Sequence, residues 1–328
     1  MKQITFSQIE FESKKRLTKR EKFLGEMESV VPWKELVSVI EPYYPRGYRG
    51  RPPIGIERML RLYFIQQWYG LSDEGVEETI TDSQAMRAFV GIDLLRESVP
   101  DATTLLHFRH LLETHALTQA LFERINEELA TKGLLMKEGT IADATLLAAP
   151  SSTKNKSKER DPQMHSTKKG QQYYFGMKAH IGVDAQSGLV HSLAGTAANE
   201  TDITQTEHLL HGQEKVIHLD AGYTGAEKRE ELKDRKVTWL IAARRGKIRR
   251  LPEQSQYRQL FEKLEKAKAS IRSKVEHVFH ILKNLFHFRK VRYKGLVKNT
   301  AQLYMLFGLV NLVKAKQGLM ALRTQNPF

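Results

Sequence analysis

The sequence EGTIADATLLAA, residues 138–149, is short, mostly apolar and ends in small residues. That pattern predicts a buried β-strand. One acid, Asp143, lies inside the apolar run, where a charge costs free energy unless a cation or hydrogen bonds offset it. The residues that follow, 151–174, are polar and lysine-rich with almost no aliphatic side chains. They predict a basic, flexible surface loop.

Beyond this loop the pattern alternates between strands and helices. Two apolar runs, GMKAHIGVD and LVHSLAGTAA, flank the turn signal AQSG and predict a β-hairpin. The run KVIHLDAGYTG predicts a strand that enters a glycine-bounded turn, and TWLIAA predicts a further short strand. We predict helices over residues 202–210, with Asn199 or Asp202 as the N-cap, and over 254–287. This order predicts an α/β domain with a mixed sheet over residues 136–328.

Upstream of the strand, residues 1–135 are mainly helical in pattern. Several short helices joined by tight turns are compatible with a helix-turn-helix DNA-binding unit. A plain helical bundle explains the same pattern equally well. We predict a helical N-terminal domain over this range.

Composition narrows the class of function. The 328 residues carry a formal net charge of +14, which predicts a basic surface that attracts phosphate-rich polymers, although a basic housekeeping protein would have the same surplus. The absence of cysteine excludes disulfides and thiolate chemistry. No apolar run approaches the roughly 18 residues that span a bilayer, and residues 1–16 lack the apolar core of a signal peptide. We therefore expect a cytoplasmic protein that does not enter a membrane.

Three acids are candidates for catalysis: Asp143, Asp220 at the end of the strand VIHL, and Glu276 in the predicted long helix. Ligands of open α/β sheets bind beyond the carboxyl ends of strands, where Asp220 lies. At 100° per residue, Arg272, Glu276 and Lys283 fall within roughly 40° of one another on the helix. The sequence therefore predicts a stripe of base, acid and base beside the apolar face of that helix.

Two aspartates and a glutamate supply hard oxygen ligands, which suit Mg²⁺, with Mn²⁺ as a substitute, better than zinc. Two such ions about 3.5–4 Å apart can hold the attacking and leaving oxygens of a phosphoryl transfer. Arg272 and Lys283 would then hold DNA phosphates. The structural alternative is an N-capping Asp220 and an Arg272–Glu276 ion pair. That alternative is the stronger one for each residue alone, whereas the set together favours catalysis.

Several segments resemble the bacterial insertion-sequence transposases of the "five" family. In the second half they are IADATLLAAPSSTKNK, MHSTKKGQQYYFGMKAHIGVDAQSGLVH, LDAGYTGAEKREEL and SIRSKVEHVFHILK. In the first half they are GRPPIGIERMLRLYFIQQWYGLSDEG and PDATTLLHFRHLLE. The resemblance covers most of the chain. It implies a DDE catalytic domain with a ribonuclease-H-like fold and a helical N-terminal domain that recognises DNA ends.

The resemblance also implies roles for individual residues. The two aspartates and the glutamate of the DDE motif fall on Asp143, Asp220 and Glu276. The family's tyrosine–arginine–glutamate–lysine signature places its arginine on Arg272 and its lysine on Lys283, whereas Ala269 stands where the signature has tyrosine. A lysine-rich run is usually a solvated surface segment, but the position of the basic loop directly after the strand of Asp143 favours contact with DNA. The lysines expected to make this contact are Lys154, Lys156, Lys168 and Lys169.

The resemblance implies metal-dependent cleavage at terminal inverted repeats and strand transfer into target DNA. The partner is then double-stranded DNA and no small molecule is a substrate. Because two ends must be held together, we expect a homodimer on DNA, associated with the bacterial nucleoid. Two other functions stay open: a DNA-binding regulator without catalysis, and a nuclease that cuts without joining.

Overall fold

The computed structural model describes residues 15–47, 52–156 and 158–325. The first 14 residues, which supply most of the segment without signal-peptide character, lie outside this range. The described chain divides into two compact units. One contains the residues up to Leu117 together with those from Leu312 onward, and the other runs from Thr118 to Asn311. The boundary between residues 135 and 136, which separates the predicted DNA-recognition domain from the predicted catalytic domain, stays a prediction.

The first unit is helical. Its first helix begins with a capping box, in which the Thr18 hydroxyl accepts from the Glu21 N–H and the Glu21 carboxylate accepts from the Thr18 N–H. Fully buried Leu36, Leu60 and Phe64 form part of its core. The helices in order are α1 Lys19–Val30, α2 Trp33–Ile40, α3 Ile56–Tyr69, α4 Asp73–Asp82, α5 Gln84–Val90 and α6 Ala102–Thr114.

Two further helices are α7 (Leu117–Thr131) and the long, apolar α10 (Leu296–Gln325). The stretch Leu296–Leu322 is long enough and, with a mean hydropathy of 1.2, apolar enough to cross a membrane. The search for uninterrupted apolar runs in the sequence did not identify this stretch. However, 61% of that window is buried inside the protein, as in the core helix of a soluble protein. Its composition is therefore explained by packing.

The second unit contains a six-stranded mixed sheet with the order β2–β3–β1–β5–β6, and β4 pairs with β3. Strand β1 is antiparallel to β3 and parallel to β5, which is parallel to β6. The mixed sheet and the helical N-terminal region confirm the predicted α/β, ribonuclease-H-like class. The strands are β1 Gly139–Ala148, β2 His165–Lys169, β3 Gln172–Asp184, β4 Val190–Ala197, β5 Val216–Leu219 and β6 Thr238–Ile241.

The long helix α9 (Gln256–His280) follows a short helix, α8 (Arg245–Arg249), and packs against β1 and β5. Three lysine ammonium groups fasten it and the π-helical turn that follows, Ile281–Leu285, to the rest of the unit. Each donates to a backbone carbonyl oxygen: Lys268 to Ile241 at 3.0 Å, Lys274 to Gln186 at 2.9 Å and Lys283 to Leu146 at 3.0 Å.

The predicted helix over residues 202–210 is wrong. The chain instead forms two short 3₁₀ turns, Asp202–Gln205 and Glu207–Leu209, and the residue before the first is Thr201, which makes no side-chain cap. The carboxylate of Asp202 accepts from the Lys178 ammonium at 2.9 Å. Neither Asn199 nor Asp202 caps a helix here, and for Asp202 the reason is this tertiary ion pair.

The predicted flexible loop over residues 151–174 is wrong for its second half. Residues 165–169 form β2 and residues from 172 onward belong to β3. Gly170, the first of the two residues between them, has φ +64°, a backbone conformation that a two-residue hairpin turn requires and that favours glycine. Backbone hydrogen bonds to the long strand β3 form this hairpin without the apolar alternation that signals a strand.

Candidate active site

The two aspartates lie where β1 and β5 separate. The parallel ladder of these strands ends with Ile141 opposite His218 on the assigned register. The same register, continued for two residues, sets Asp143 level with Asp220. Since both strands run in one direction, their carboxyl ends place the two acids at one edge of the sheet.

Helix α9 brings the third acid to the same edge. Its inner side buries Val275, Val278 and Phe279, and the neighbouring Glu276 is exposed. A cleft of about 850 Å³ contains all three predicted acids together with Arg272 and Lys283. The full lining is Asp143, Ala144, Thr145, Lys169, Asp220, Arg272, Glu276, His277, Phe279, His280, Lys283, Asn284 and Arg289.

Burial dominates the electrostatics of Asp143. The pKa of this carboxyl group is raised to about 6, mainly by burial and to a smaller extent by the charges of Asp220 and Glu276. The Ala144 N–H, which donates to Asp143 Oδ1 at 2.7 Å, and the Arg272 guanidinium act in the opposite direction. A nearby cation would therefore be needed to hold this group ionised at low pH.

Asp220 forms the cap that the structural alternative assumes. Its Oδ1 accepts from the Gly222 N–H at 2.8 Å and so caps the 3₁₀ turn Ala221–Tyr223. A Cβ at Gly222 would lie 3.0 Å from the same Oδ1, which explains the small residue there. The other half of the alternative is not found, because no ion pair joins Arg272 to Glu276 among the described residues.

Lys283 has a structural contact as well as a position in the cleft. Its ammonium group donates to the Leu146 carbonyl of β1. Burial lowers the pKa of this lysine, and the charges of Lys169 and Arg289 lower it further, against the opposing effect of Glu276. A positive potential therefore surrounds the acids on this side of the cleft.

The chemistry of these oxygen donors fits a hard divalent cation. Their side chains do not converge as placed: in the parts of the chain that the structure describes, no group of three or more His, Cys, Asp or Glu could jointly hold a metal ion. One oxygen each of Asp143 and Asp220 is engaged by a backbone N–H. Carboxylates also repel one another when no cation lies between them. The three acids thus share a cleft without forming a ligand cage.

The lysines predicted to bind DNA lie in two places. Lys169 lines the cleft and Lys168 is exposed on β2. Lys154 and Lys156 are exposed in the segment before β2 and do not line the cleft. The exposed Ala269, at the signature tyrosine position, does not line it either.

Five polar residues of the cleft were not predicted from the sequence: Thr145, His277, His280, Asn284 and Arg289. A signal for two of them was available, because His280 and Asn284 follow Glu276 at helical spacing. His180 is buried, and burial lowers its pKa to about 4, so it is neutral at physiological pH.

Two protein families match the chain. The family described as "Transposase DDE domain" matches residues 135–312, more than half of the chain, and the match includes all three acids of the cleft. The family described as "Transposase domain (DUF772)" matches residues 11–111, within the helical region. No solved structure matches the chain.

Proposed function

The chain belongs to the family of DDE transposases, and we propose that it cuts DNA at the terminal inverted repeats of a mobile element and joins the freed ends to target DNA. DNA cleavage and strand transfer in general follow from the family, whose members are metal-dependent polynucleotidyl transferases. The observation that supports the specific proposal is one cleft containing three acids and several basic side chains. Membership of the insertion-sequence "five" family stays a prediction.

We assign Asp143, Asp220 and Glu276 as the ligands of two Mg²⁺ ions, for which Mn²⁺ can substitute. Such ions, when bound, supply activation of a water or a 3′-hydroxyl and neutralise charge at phosphorus. The protein's own contribution is orientation. The backbone N–H groups of Ala144 and Gly222 each engage an Oδ1 atom and leave the Oδ2 atom of Asp143 and of Asp220 available as a ligand.

The basic residues of the cleft would hold the DNA strand that is cut. Arg272 has a guanidinium group, a planar fork of donors suited to phosphate. Lys169 approaches from the opposite element, strand β2. Lys283 adds charge while one of its three hydrogens is used on Leu146.

The rest of the proposal concerns partners. The helical region, residues 1–135, would recognise the element ends, and residues 136–328 would carry the chemistry. Lys154, Lys156 and Lys168 would contact duplex DNA outside the cleft. Two copies of the chain would assemble on DNA to hold both ends, in the cytoplasm and on the nucleoid. No small molecule is needed as a substrate.

The substitution Asp143→Ala tests the chemistry. We expect it to reduce Mg²⁺-dependent nicking of duplex DNA to the metal-free level and to leave DNA binding largely intact. The probe is the pair of inverted repeats that flank this chain's own coding sequence. Glu262→Gln is a control acid, because Glu262 lies on α9, the helix that carries Glu276, but outside the cleft, paired with Arg258 at 2.9 Å.

The same assay separates the rival functions. An Asp143→Ala protein that folds normally but loses DNA binding together with nicking would contradict the assignment. If the wild-type protein binds the repeats but does not nick them when either Mg²⁺ or Mn²⁺ is present, it is a regulator without catalysis. Nicking without any joined product between the repeats and a plasmid would identify a nuclease that only cuts.

A further inference from the structure

The β2–β3 hairpin has two chemically different faces beside the cleft. Its register pairs Lys168 with Tyr173 and, next to the turn, Lys169 with Gln172. Directly paired residues share a face and successive residues alternate between faces. Lys169, which lines the cleft, is therefore on one face, and Tyr173 is on the other.

The face of Tyr173 is aromatic and cationic. The Lys168 ammonium lies 5.6 Å from the centroid of the Tyr173 ring. Further along the same face, the Arg160 guanidinium lies 5.3 Å from the ring of Phe175. Aromatic rings with neighbouring cationic side chains are typical of surfaces that bind nucleic-acid strands. The rings stack on bases, and the cationic groups pair with phosphates.

Tyr173 makes little use of its ring within the fold. The residue is 75% exposed, whereas aromatic side chains ordinarily bury most of their area. Its neighbour Tyr174, on the opposite face, is 37% exposed and donates its hydroxyl hydrogen to Gln172 Oε1 at 2.7 Å. The ring of Tyr173 is thus available to a partner, and that partner would contact the protein immediately beside the cleft.

We propose that the β2–β3 hairpin enters the DNA at the cut site as a wedge, with Lys169 on the strand in the cleft and the Tyr173 ring stacked on an unpaired base of the complementary strand. The choice of DNA as the occupant rests on the proposed function. It is supported by the positive charge of the hairpin and by its continuity with the cleft through Lys169.

The dimensions of the hairpin suit this role. Strand β2 has five residues, and at about 3.3 Å per residue the arm extends roughly 16 Å. A two-stranded ribbon also fits a DNA major groove without separating the strands. Groove binding to fully paired DNA is therefore the competing outcome.

Binding to open and closed DNA ends distinguishes the two outcomes. The probes are a labelled duplex and the same duplex with mismatched terminal bases, and the proteins are wild type, Tyr173→Ala and Tyr173→Phe. We expect wild type and Tyr173→Phe to prefer the mismatched end. We expect Tyr173→Ala to lose roughly 5- to 150-fold in affinity for that end, since a stacked base contributes about 1–3 kcal/mol.

A matched control is Tyr257→Ala, which removes a 62% exposed tyrosine from α9, outside the cleft. It should behave as wild type. A 2-aminopurine at the end of the complementary strand should be quenched differently by wild type and by Tyr173→Ala. Equal binding of the two probes by wild type, or no effect of Tyr173→Ala on the mismatched probe, would overturn the wedge and favour groove binding.

Cleavage separates this proposal from the one on which it rests. If wild type nicks the repeats and Tyr173→Ala is slower on paired ends, mismatched ends should restore its rate. Wild-type nicking with full activity of Tyr173→Ala on paired ends would remove the wedge and leave the transposase chemistry standing. Tyrosine-dependent preference for the open end without any nicking would retain the wedge and contradict the proposed chemistry.

Discussion

Two acids of the same sheet unit, Glu214 and Asp143, have opposite surroundings. Glu214 is 5% exposed, and its carboxylate accepts from the His211 N–H at 2.6 Å, the Gly212 N–H at 2.8 Å and the Thr140 hydroxyl at 3.3 Å. The Arg235 guanidinium lies 4.0 Å away. Asp143 accepts one hydrogen bond, from the next residue, and among the described residues it has no ion pair.

The carboxylate of Glu214 therefore stabilises the folded state, whereas the carboxylate of Asp143 destabilises it. Hydrogen bonds and a nearby cation offset the desolvation of Glu214, which joins the start of β1 to the segment before β5. Asp143 has few such contacts and faces two other acids. An acid left in that state near strand ends is a candidate for function, because a ligand can supply what the protein does not.

The strongest test of this comparison is to remove each carboxylate in turn. Glu214→Ala leaves the N–H groups of His211 and Gly212 and the charge of Arg235 without their acceptor. We expect the free energy of unfolding to fall by about 3–5 kcal/mol. Asp143→Asn should leave it unchanged or raise it. Urea denaturation of both variants in metal-free buffer measures the contrast.

The comparison would fail if Asp143→Asn destabilised the protein as much as Glu214→Ala. In that case Asp143 would be a structural acid, and the raised pKa would be unrelated to ligand binding. Thr140→Val is a useful companion, because it removes the longest of the three hydrogen bonds to Glu214, together with the 3.1 Å contact of the Thr140 hydroxyl with His191 Nε2, and should have a smaller effect.

The raised pKa of Asp143 makes the stability of the protein depend on pH. The pKa of Asp143 in the fold is about 6, whereas the same group ionises near pH 4 in an unfolded chain. Between these values the folded state holds a proton that the unfolded state has lost. Wild type should therefore lose stability relative to Asp143→Asn as pH rises through this window, by on the order of 2 kcal/mol, and the difference should level off above it. Urea denaturation at several pH values with a chelator present measures it, and a flat difference would contradict the shift.

Tyr223 supplies the smallest test, with a neutral group. Its hydroxyl is buried and has no hydrogen-bond acceptor or donor among the described residues. Burial and the charges of Asp202, Asp143 and Asp220 raise its pKa. Tyr223→Phe should stabilise the protein by about 1 kcal/mol, because it removes a desolvated polar group. Thermal unfolding of both proteins without metal measures this change in stability. A less stable Tyr223→Phe protein would contradict the prediction and indicate that the Tyr223 hydroxyl makes a stabilising hydrogen bond.

Sequence patterns were sufficient where the signal is local. The strand around Asp143, the strand end at Asp220 and the helical spacing of Arg272 and Glu276 each lie within one element, and Lys283 lies in the π-helical turn directly after α9. Each could be predicted from apolar period and glycine position. Their common cleft then follows from the geometry of a parallel strand pair covered by a helix.

Features that depend on distant residues were not predictable in this way. The hairpin at residues 165–174 has no apolar alternation and forms through backbone pairing with β3. Two 3₁₀ turns form in place of the predicted helix, and Asp202 at the start of the first turn accepts a hydrogen bond from Lys178 of strand β3. The bond from Lys283 to Leu146 likewise requires the folded arrangement of α9 and β1.

The lysine–carbonyl bonds along α9 and the π-helical turn after it affect how strongly salt weakens the binding of DNA by this protein. Lys268, Lys274 and Lys283 direct their ammonium groups at backbone oxygens, so those hydrogens are not all free for phosphates. The number of counterions displaced from DNA depends on the charges that reach it. The formal excess of +14 therefore overstates the salt sensitivity of the complex.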